Sequence, residues 1–465
     1  MRIIPNPIFL YHYFKNFLYV DRLWKIDSKE IKDLQTKLLK KMLKFSKNVP
    51  LYRHKFEKSN ISLEDIQDVN DIKKIPFTTK QDLRDFGVKG TLPKNFNIDC
   101  GCRADTSGST GEPISIYRDI RSMALETTLS LRMLKSYNLP FSETRITNIG
   151  DFTIPNSHDE ECINKGVVRQ LGFISSYYNK KVQNVFTGKN PKEIIKNLSS
   201  FNPDLIISYP GPLIALMHLR QEGYGENINP KYIVSSGGMV DSYTKKQIEN
   251  AFDTQVLGLY AATESGGIAF ECPLGNYHIQ SDHVIIDAVD DNGDSVAPGE
   301  HGHLVVTRLY GRGTPIIRYT GMDDIITPTD EKCECGMNTP LLDNVEGRRV
   351  DSIVLPDGRI FPPATITLIP GEIAEEYGVD IIKRFQIIQH KKDKIEILIV
   401  INQNLRGKVP SVEEMLDEIK NRYKKIVGES VFIEVKEVDE VKKDKRSPGS
   451  PSSIIISKVD HKDWI

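Results

Sequence analysis

From about residue 100 to about residue 345, short apolar β-rich runs alternate with stretches at helical spacing. This alternation restricts the fold more than any other feature of the chain. Asp204-Leu205-Ile206-Ile207-Ser208-Tyr209, Lys231-Tyr232-Ile233-Val234-Ser235-Ser236 and Thr254-Gln255-Val256-Leu257-Gly258-Leu259-Tyr260 are runs of the first kind. Pro212 to Glu222 and Thr244 to Phe252 are stretches of the second. Apolar strands separated by helices predict α/β layers on a largely parallel sheet. Such sheets bind ligands beyond the carboxyl ends of their strands, so the turns that follow these runs are where chemistry is expected. Near 283–308, ending in His303-Leu304-Val305-Val306-Thr307-Arg308, strands alone dominate.

The flanks read differently. Residues 28–48 form an amphipathic helix, with Ser28 as N-cap, Ile31, Leu34, Leu38, Leu39, Met42 and Leu43 at helical spacing, and Pro50 as the stop. Ile75-Pro76-Phe77-Thr78-Thr79-Lys80 reads as a turn before a second capped helix. After about 346 the pattern becomes α+β: a hairpin around Asp357-Gly358, strands near 384–390 and 395–402, a helix from Ser411 to Ile426 and a strand at 431–438. At 465 residues the chain exceeds one ordinary core, and roughly two to four domains or subdomains are expected. We divide it at 1–95, 96–346 and 347–465.

Composition excludes more than it suggests. With 39% hydrophobic and 27% charged residues and a net charge of −1, the chain gives no reason to expect nucleic acid. Six cysteines in such a length make no disulfide scaffold, and a reducing cytoplasmic location is the default. The N-terminal runs Ile8 to Phe14 and Phe17 to Val20 are broken by Lys15, Asp21 and Arg22, so neither reaches the ~18–20 apolar residues of a membrane span. Their aromatic-rich amphipathic pattern fits packing on the protein body or on a partner, with a membrane surface as the alternative.

Thr106-Ser107-Gly108-Ser109-Thr110-Gly111-Glu112-Pro113 brings four hydroxyls and two glycines into eight residues. Glycine lets backbone N–H groups approach a ligand closely, and hydroxyls with freed N–H groups ring an anion, phosphate above all. No Gly-Lys-Ser/Thr follows, so this is no Walker loop; a polar turn between strands is the other reading. Tyr260-Ala261-Ala262-Thr263-Glu264 sits just beyond an apolar strand, where a hydroxyl can bond a phosphate and a carboxylate can hold Mg²⁺. Ser236-Gly237-Gly238, also at a strand end, either packs under a flat ring or is a simple turn. Arg318-Tyr319-Thr320-Gly321-Met322-Asp323 offers a carboxylate able to accept two adjacent hydroxyls, with Asp324 as competitor, and Gly347-Arg348-Arg349 opens the last domain.

In this order the motifs resemble those of the adenylate-forming enzymes: T-S-G-S/T-T-G-x-P, Y-G-x-T-E, R-Y-x-T-G-D and G-R-x-D-D. Asn48-Val49-Pro50-Leu51-Tyr52 and the segment ending at Lys80 echo the N-V-P-x-Y and I-P-x-T-x-K segments of the phenylacetate–CoA ligase branch. The closer likeness is to its CapK, or coenzyme F390 synthetase-like, members, and it covers nearly the whole chain. It implies a large N-terminal adenylate-forming domain of layered α/β subdomains with a strand-rich subdomain, plus a small mobile α+β C-terminal domain. It also implies ATP- and Mg²⁺-dependent activation of a carboxylic acid to an acyl-adenylate, then transfer to CoA or an amine, in the CapK case for cell-surface polysaccharide work. Thr106, Ser107, Gly108, Ser109, Thr110 and Gly111 would hold the phosphates, and Thr263 and Glu264 the phosphate and Mg²⁺. Ser236, Gly237, Gly238 and Tyr260 would line the nucleotide, Asp323 would take the ribose, and Arg348 the ribose and phosphate side. A homodimer is a weak expectation of the same likeness.

Cys272-x5-His278 and Cys333-x-Cys335-Gly336 form two half-sites whose thiolates and imidazole suit tetrahedral Zn²⁺. The branch often carries C…H…C-x-C-G here, which implies a closed structural zinc site. Cys100 and Cys102 read as ordinary thiols, and Cys162 has no assignable role.

Two departures stand against this likeness. The catalytic lysine of the C-terminal domain usually sits in a G-K-x-R-like stretch, but here the sequence runs Ser447-Pro448-Gly449-Ser450-Pro451-Ser452-Ser453, with Ser450 in its place. Val350 takes the position of the hinge aspartate. Lys445, Arg446 and Lys458 are the candidate substitutes for the missing charge, and none stands at the matching spacing. The second reading is a catalytically degenerate nucleotide-binding or accessory relative.

Overall fold

A computed structural model describes residues 4–98, 101–105, 114–152, 168–348, 351–378, 381–409, 411–441 and 454–459. The phosphate-loop motif at 106–113, Cys100, Cys162, Arg349, Val350 and the stretch 442–453, with Lys445, Arg446 and Ser450, lie outside the described residues.

An eleven-stranded sheet organises the large part of the chain. In spatial order its strands are Val284–Val289, Gly302–Arg308, Asp324–Thr329, Leu341–Arg348, Tyr277–Ile279, Gly266–Glu271, Val256–Ala262, Tyr232–Ser236, Leu205–Ser208, Ile146–Gly150 and Val182–Phe186. The strands between 146 and 262 pair in parallel. Within this sheet every pairing among the strands from 266 to 348 is antiparallel, as is the junction of Val256–Ala262 with Gly266–Glu271. The expected parallel sheet is therefore half of a mixed one, and the strand-rich stretch near 283–308 is its antiparallel extension.

Side chains alternate across each parallel strand, and both faces are covered. Ile206, Ile233 and Val256 pack against Ile194, Leu198, Leu213, Met217, Ile248 and Phe252 of the helices Pro191–Phe201, Pro210–Gln221 and Ser242–Phe252. Leu205, Val234 and Leu257 pack on the other side against Leu129, Met133 and Leu134 of the helix Ile120–Ser136. The antiparallel part is closed by the helix Ser28–Ser46, whose Leu39, Met42 and Leu43 join Val284, Leu304, Val306 and Ile326. Its N-cap is Asp27 rather than Ser28: Asp27 accepts from the Glu30 backbone N–H at 2.8 Å, and the Glu30 carboxylate accepts from Asp27 N–H at 2.9 Å. A carboxylate at that position satisfies an orphan amide and opposes the helix dipole, so it displaces the neighbouring serine.

The C-terminal region has its own core and a four-stranded sheet in the order Phe432–Glu437, Lys394–Ile401, Ile382–Lys391, Ile455–Ser457. Helix Val412–Val427 buries Met415, Ile419 and Tyr423 on it. One side chain of the large sheet domain enters this core: Tyr243, at the start of Ser242–Phe252, is 4% exposed and lies in the same apolar cluster as Ile369, Ile373 and Phe385. Gly371 admits it, since a Cβ there would come within 2.3 Å of the Tyr243 Cβ.

Candidate active site

The candidate site is assembled where the parallel half of the sheet ends. Val256–Ala262 delivers Thr263 and Glu264 beyond its carboxyl end, at the tight turn into Gly266–Glu271. Two fully buried arginines hold this turn by its carbonyls. Arg118 Nη2 donates to Thr263 O at 2.6 Å, and Arg308 Nη1 donates to Glu264 O at 3.1 Å. Glu126 balances Arg118 at 2.9 Å and accepts from the Tyr310 hydroxyl at 3.1 Å. Arg118 ends the strand Ser115–Arg118, so its guanidinium links that strand to the Thr-Glu pair.

Glu264 is 6% exposed, and burial raises its carboxyl above the ordinary range. The Tyr319 hydroxyl donates to its Oε1 at 3.3 Å. A buried, hydroxyl-oriented carboxylate beside a threonine is a fitting donor set for Mg²⁺, which takes one or two carboxylates and keeps its other positions for water and phosphate.

A cation that the motif order did not single out reaches the same place. The segment Ile75 to Thr79 is stitched to the Arg318–Thr320 segment: Thr78 N–H donates to Arg318 O at 2.8 Å, and Thr320 N–H to Thr78 O at 3.0 Å. Arg318 itself is spent on this stitch. It donates to Lys73 O and Ile75 O at 2.6 and 2.7 Å and lies over Phe77 at 4.0 Å. That stitch brings Lys80, the first residue of helix Lys80–Gly90, within electrostatic reach of Glu264, Asp323, Arg84 and Arg348. Burial pulls the Lys80 ammonium below its usual range while Glu264 and Asp323 hold it up.

Asp323 and Asp324 separate cleanly. Asp323 has φ +60°, and Arg318, at the other end of the motif, has φ +44°. Non-glycine residues in the left-handed region mark a backbone held by its surroundings, often at a binding site. Asp324 starts the next strand, accepts from the Tyr260 hydroxyl at 2.6 Å and faces Arg348 in register. Tyr260 is thereby committed to Asp324. Ser236 ends its strand, and Gly237 (φ +73°) and Gly238 follow as an exposed turn lying on Tyr209 and Pro210. Thus Thr263, Glu264, Tyr260, Asp323 and Arg348 converge with Lys80, while Ser236 to Gly238 form a neighbouring strand end.

Cys272, His278, Cys333 and Cys335 place their ligand atoms within 4.8 Å of one another. Cys272 Sγ and Cys333 Sγ are 3.6 Å apart, too long for a disulfide, and Cys335 Sγ is 3.1 Å from His278 Nε2. Thr339 Oγ1, 3.1 Å from His278 Nδ1, orients the ring so that Nε2 faces the sulfurs. The cluster ties the Gly266–Glu271/Tyr277–Ile279 hairpin to the turn before Leu341–Arg348. It also underlies the N-terminal segment, where Asn338 N–H donates to Leu23 O at 2.9 Å.

The mixed sheet, the Thr-Glu turn and the small α+β C-terminal region together define an adenylate-forming fold. The structure of 2-hydroxyisobutyryl-CoA ligase in the postadenylation state with R3-HIB-AMP superposes with a TM-score of 0.74 at 15% identity, covering 95% of this chain and 90% of that one. Sequence narrows the class. The chain is 27% identical over 349 residues to phenylacetate-coenzyme A ligase of Escherichia coli (strain K12), covering 72% of this chain and 74% of that one. It is 23% identical over 392 residues to the ligase of the same name from Thermus thermophilus, covering 82% and 84%. No protein-family profile matches it. By sequence the chain is thus similar to phenylacetate-coenzyme A ligases, and by fold to an acyl-CoA ligase solved with its acyl-adenylate.

Proposed function

We propose that this protein activates a carboxylic acid with ATP and transfers the acyl group to CoA. The observation that carries the reading is the buried Glu264, aimed by Tyr319 and facing Lys80 beyond a strand end. In the first step the substrate carboxylate attacks the α-phosphorus of ATP, the bond from that phosphorus to the α,β-bridging oxygen breaks, and pyrophosphate leaves with its electron pair. In the second, the CoA thiolate attacks the acyl carbon and AMP departs. Such chemistry rests on positioning and on stabilising phosphoryl charge.

Thr106 to Gly111 hold the phosphates, Thr263 adds a hydroxyl, and Glu264 holds Mg²⁺. Bound there, Mg²⁺ neutralises the oxygen charge that builds up as pyrophosphate leaves. Asp323 accepts both ribose hydroxyls, Arg348 lies on the ribose and phosphate side, and Ser236 to Gly238 with Tyr260 bound the base. Lys80 supplies the cation that Ser450 cannot. Lys458 is a poorer candidate, since its ammonium lies 3.2 Å from His390 Nδ1 on the C-terminal sheet. We further infer that residues 347–465 form the mobile domain and that the protein works in the cytoplasm.

The metal of the Cys₃His cluster is zinc. A tetrahedron with Zn–S bonds of about 2.3 Å has sulfur edges of about 3.8 Å, close to the 3.6 Å between Cys272 and Cys333. Four protein ligands leave no open position, so its role is structural.

The test is product analysis. Purified protein, ATP, Mg²⁺, CoA and a panel of aryl, hydroxy, fatty and amino acids are incubated and the products identified by mass spectrometry. An acyl-CoA and AMP in equal amounts support the reading. An amide on an added amino sugar, with CoA untouched, favours the CapK-type acceptor. ATP binding with no product from any acid favours the degenerate relative that Ser450 suggests.

A further inference from the structure

Helix Pro7–Phe17 turns an apolar face to solvent. Ile8, Tyr11, Phe14 and Phe17 are 53, 62, 61 and 55% exposed, with Ile4 at 82% before the helix and Leu18 at 77% after it. At about 100° per residue these side chains fill one half of the helix surface, and Lys15 is the charge within it. The other half is packed: Phe9 is fully buried in a cluster with Met123 and Leu171, against which Tyr13 and Tyr178 lie, and His12 and Asn16 are half-buried. A surface helix of a soluble domain ordinarily presents a polar outer face, and a continuous exposed apolar patch marks an interaction site. Phe173 and Tyr177, 56 and 51% exposed, stand beside it, because Asn6 N–H donates to Gln170 O at 2.8 Å.

Charge identifies the occupant. The chain carries 63 acidic and 62 basic residues, yet residues 4–20 and 168–181 contain no Asp or Glu and do contain Lys15, Arg169, Lys180 and Lys181. Of the described acids that border it, Asp21 pairs with Lys135 and Lys25, and Asp119, within electrostatic reach of His12, caps the helix Ile120–Ser136. We propose that this face docks on the surface of an anionic phospholipid bilayer, the helix lying in the plane of the interface. Tyrosine and lysine suit that boundary, since each sinks an apolar body and keeps a polar tip in water. The basic rim meets the negative surface potential. No helix among the described residues is long and apolar enough to cross a membrane, which agrees with binding from one side.

The full-length protein is sedimented with vesicles of phosphatidylcholine alone and of phosphatidylcholine mixed with phosphatidylglycerol. Binding to the mixed vesicles, weakened by salt and absent with phosphatidylcholine alone, is expected. Ile8→Ser/Phe14→Ser/Leu18→Ser abolishes it, and Lys15→Glu weakens it about fivefold or more. Both variants keep wild-type melting and circular dichroism, since none of these side chains is buried. The proposal is overturned if wild-type protein stays in the supernatant, or if the triple variant binds as well as wild type. It is equally overturned if sedimentation velocity shows a wild-type dimer that the triple variant dissolves, which would assign the face to a second copy of the chain. None of these outcomes depends on the catalytic reading.

Discussion

Tyr319 donates its hydroxyl to Glu264 at 3.3 Å, and both side chains are buried. The contact orients the carboxylate. Desolvation raises both groups, so the tyrosine stays protonated as the donor.

Glu264→Gln should separate function from stability. Burial makes the folded protein hold the Glu264 proton more tightly than the unfolded chain does. The stability this contributes is present below the ordinary carboxylate range and lost as pH rises through the raised value. Ligand-free wild type should therefore melt progressively lower as pH rises above the ordinary carboxylate range, and Glu264→Gln should flatten that slope and melt higher at the upper end. The same variant should lose about 10²–10³ in adenylation rate. Thermal melts across pH, paired with rate assays, check both halves.

Lys80→Met should reduce adenylation by about 10²–10³, with Lys80→Arg retaining part of it and Lys458→Ala leaving it unchanged. Burial lowers the Lys80 ammonium, so wild-type activity should fall on the alkaline side earlier than a free lysine would dictate, and Lys80→Arg should extend it. A pH–rate profile of the three proteins reads this out.

The sequence carried the site unevenly, for physical reasons. Thr263-Glu264 and the Cys–His pairs were legible because the chemistry of each is written in adjacent residues. Lys80 was legible only as part of an N-terminal segment. Its place in the site depends on backbone pairing of Thr78 with Arg318 and Thr320, across some 240 residues that no local pattern encodes. The antiparallel half of the sheet was blurred for another reason. Gly266–Glu271 is buried at every position, and Gly302–Arg308 at all but one, so the period-two alternation that marks an exposed strand is erased. Asp323 followed from counting along its motif, while its φ of +60° and the burial of Asp324 against Tyr260 required the structure.

The Cys₃His cluster should bind one zinc per chain, measured by plasma emission spectroscopy on protein purified without chelator. Cys272→Ser or Cys335→Ser should lose the metal and lower the melting temperature, because metal-binding free energy is folding free energy at such sites. Activity should fall with it. The turn that carries Cys333 and Cys335 is continuous with the strand that begins just after Asp323.

Tyr243 joins the large sheet domain to the C-terminal core, so Tyr243→Ala should empty a site that both regions share, at a cost of about 3 kcal/mol or more. Gly371→Leu should act from the other side, since a Cβ there lies 2.3 Å from that of Tyr243. Small-angle scattering should show each variant with a larger radius of gyration than wild type. An unchanged radius would mean that the contact does not hold the two regions together.

The most direct test of the account is acid-dependent ATP–pyrophosphate exchange, run on wild type, Glu264→Gln and Lys80→Met with the acid panel. The account predicts exchange with one class of acid, lost in both variants while each still folds. Exchange in wild type that survives Lys80→Met would remove Lys80 from the chemistry. No exchange with any acid, while calorimetry still detects ATP binding, would contradict the central claim and make this chain a nucleotide-binding relative that no longer forms adenylates.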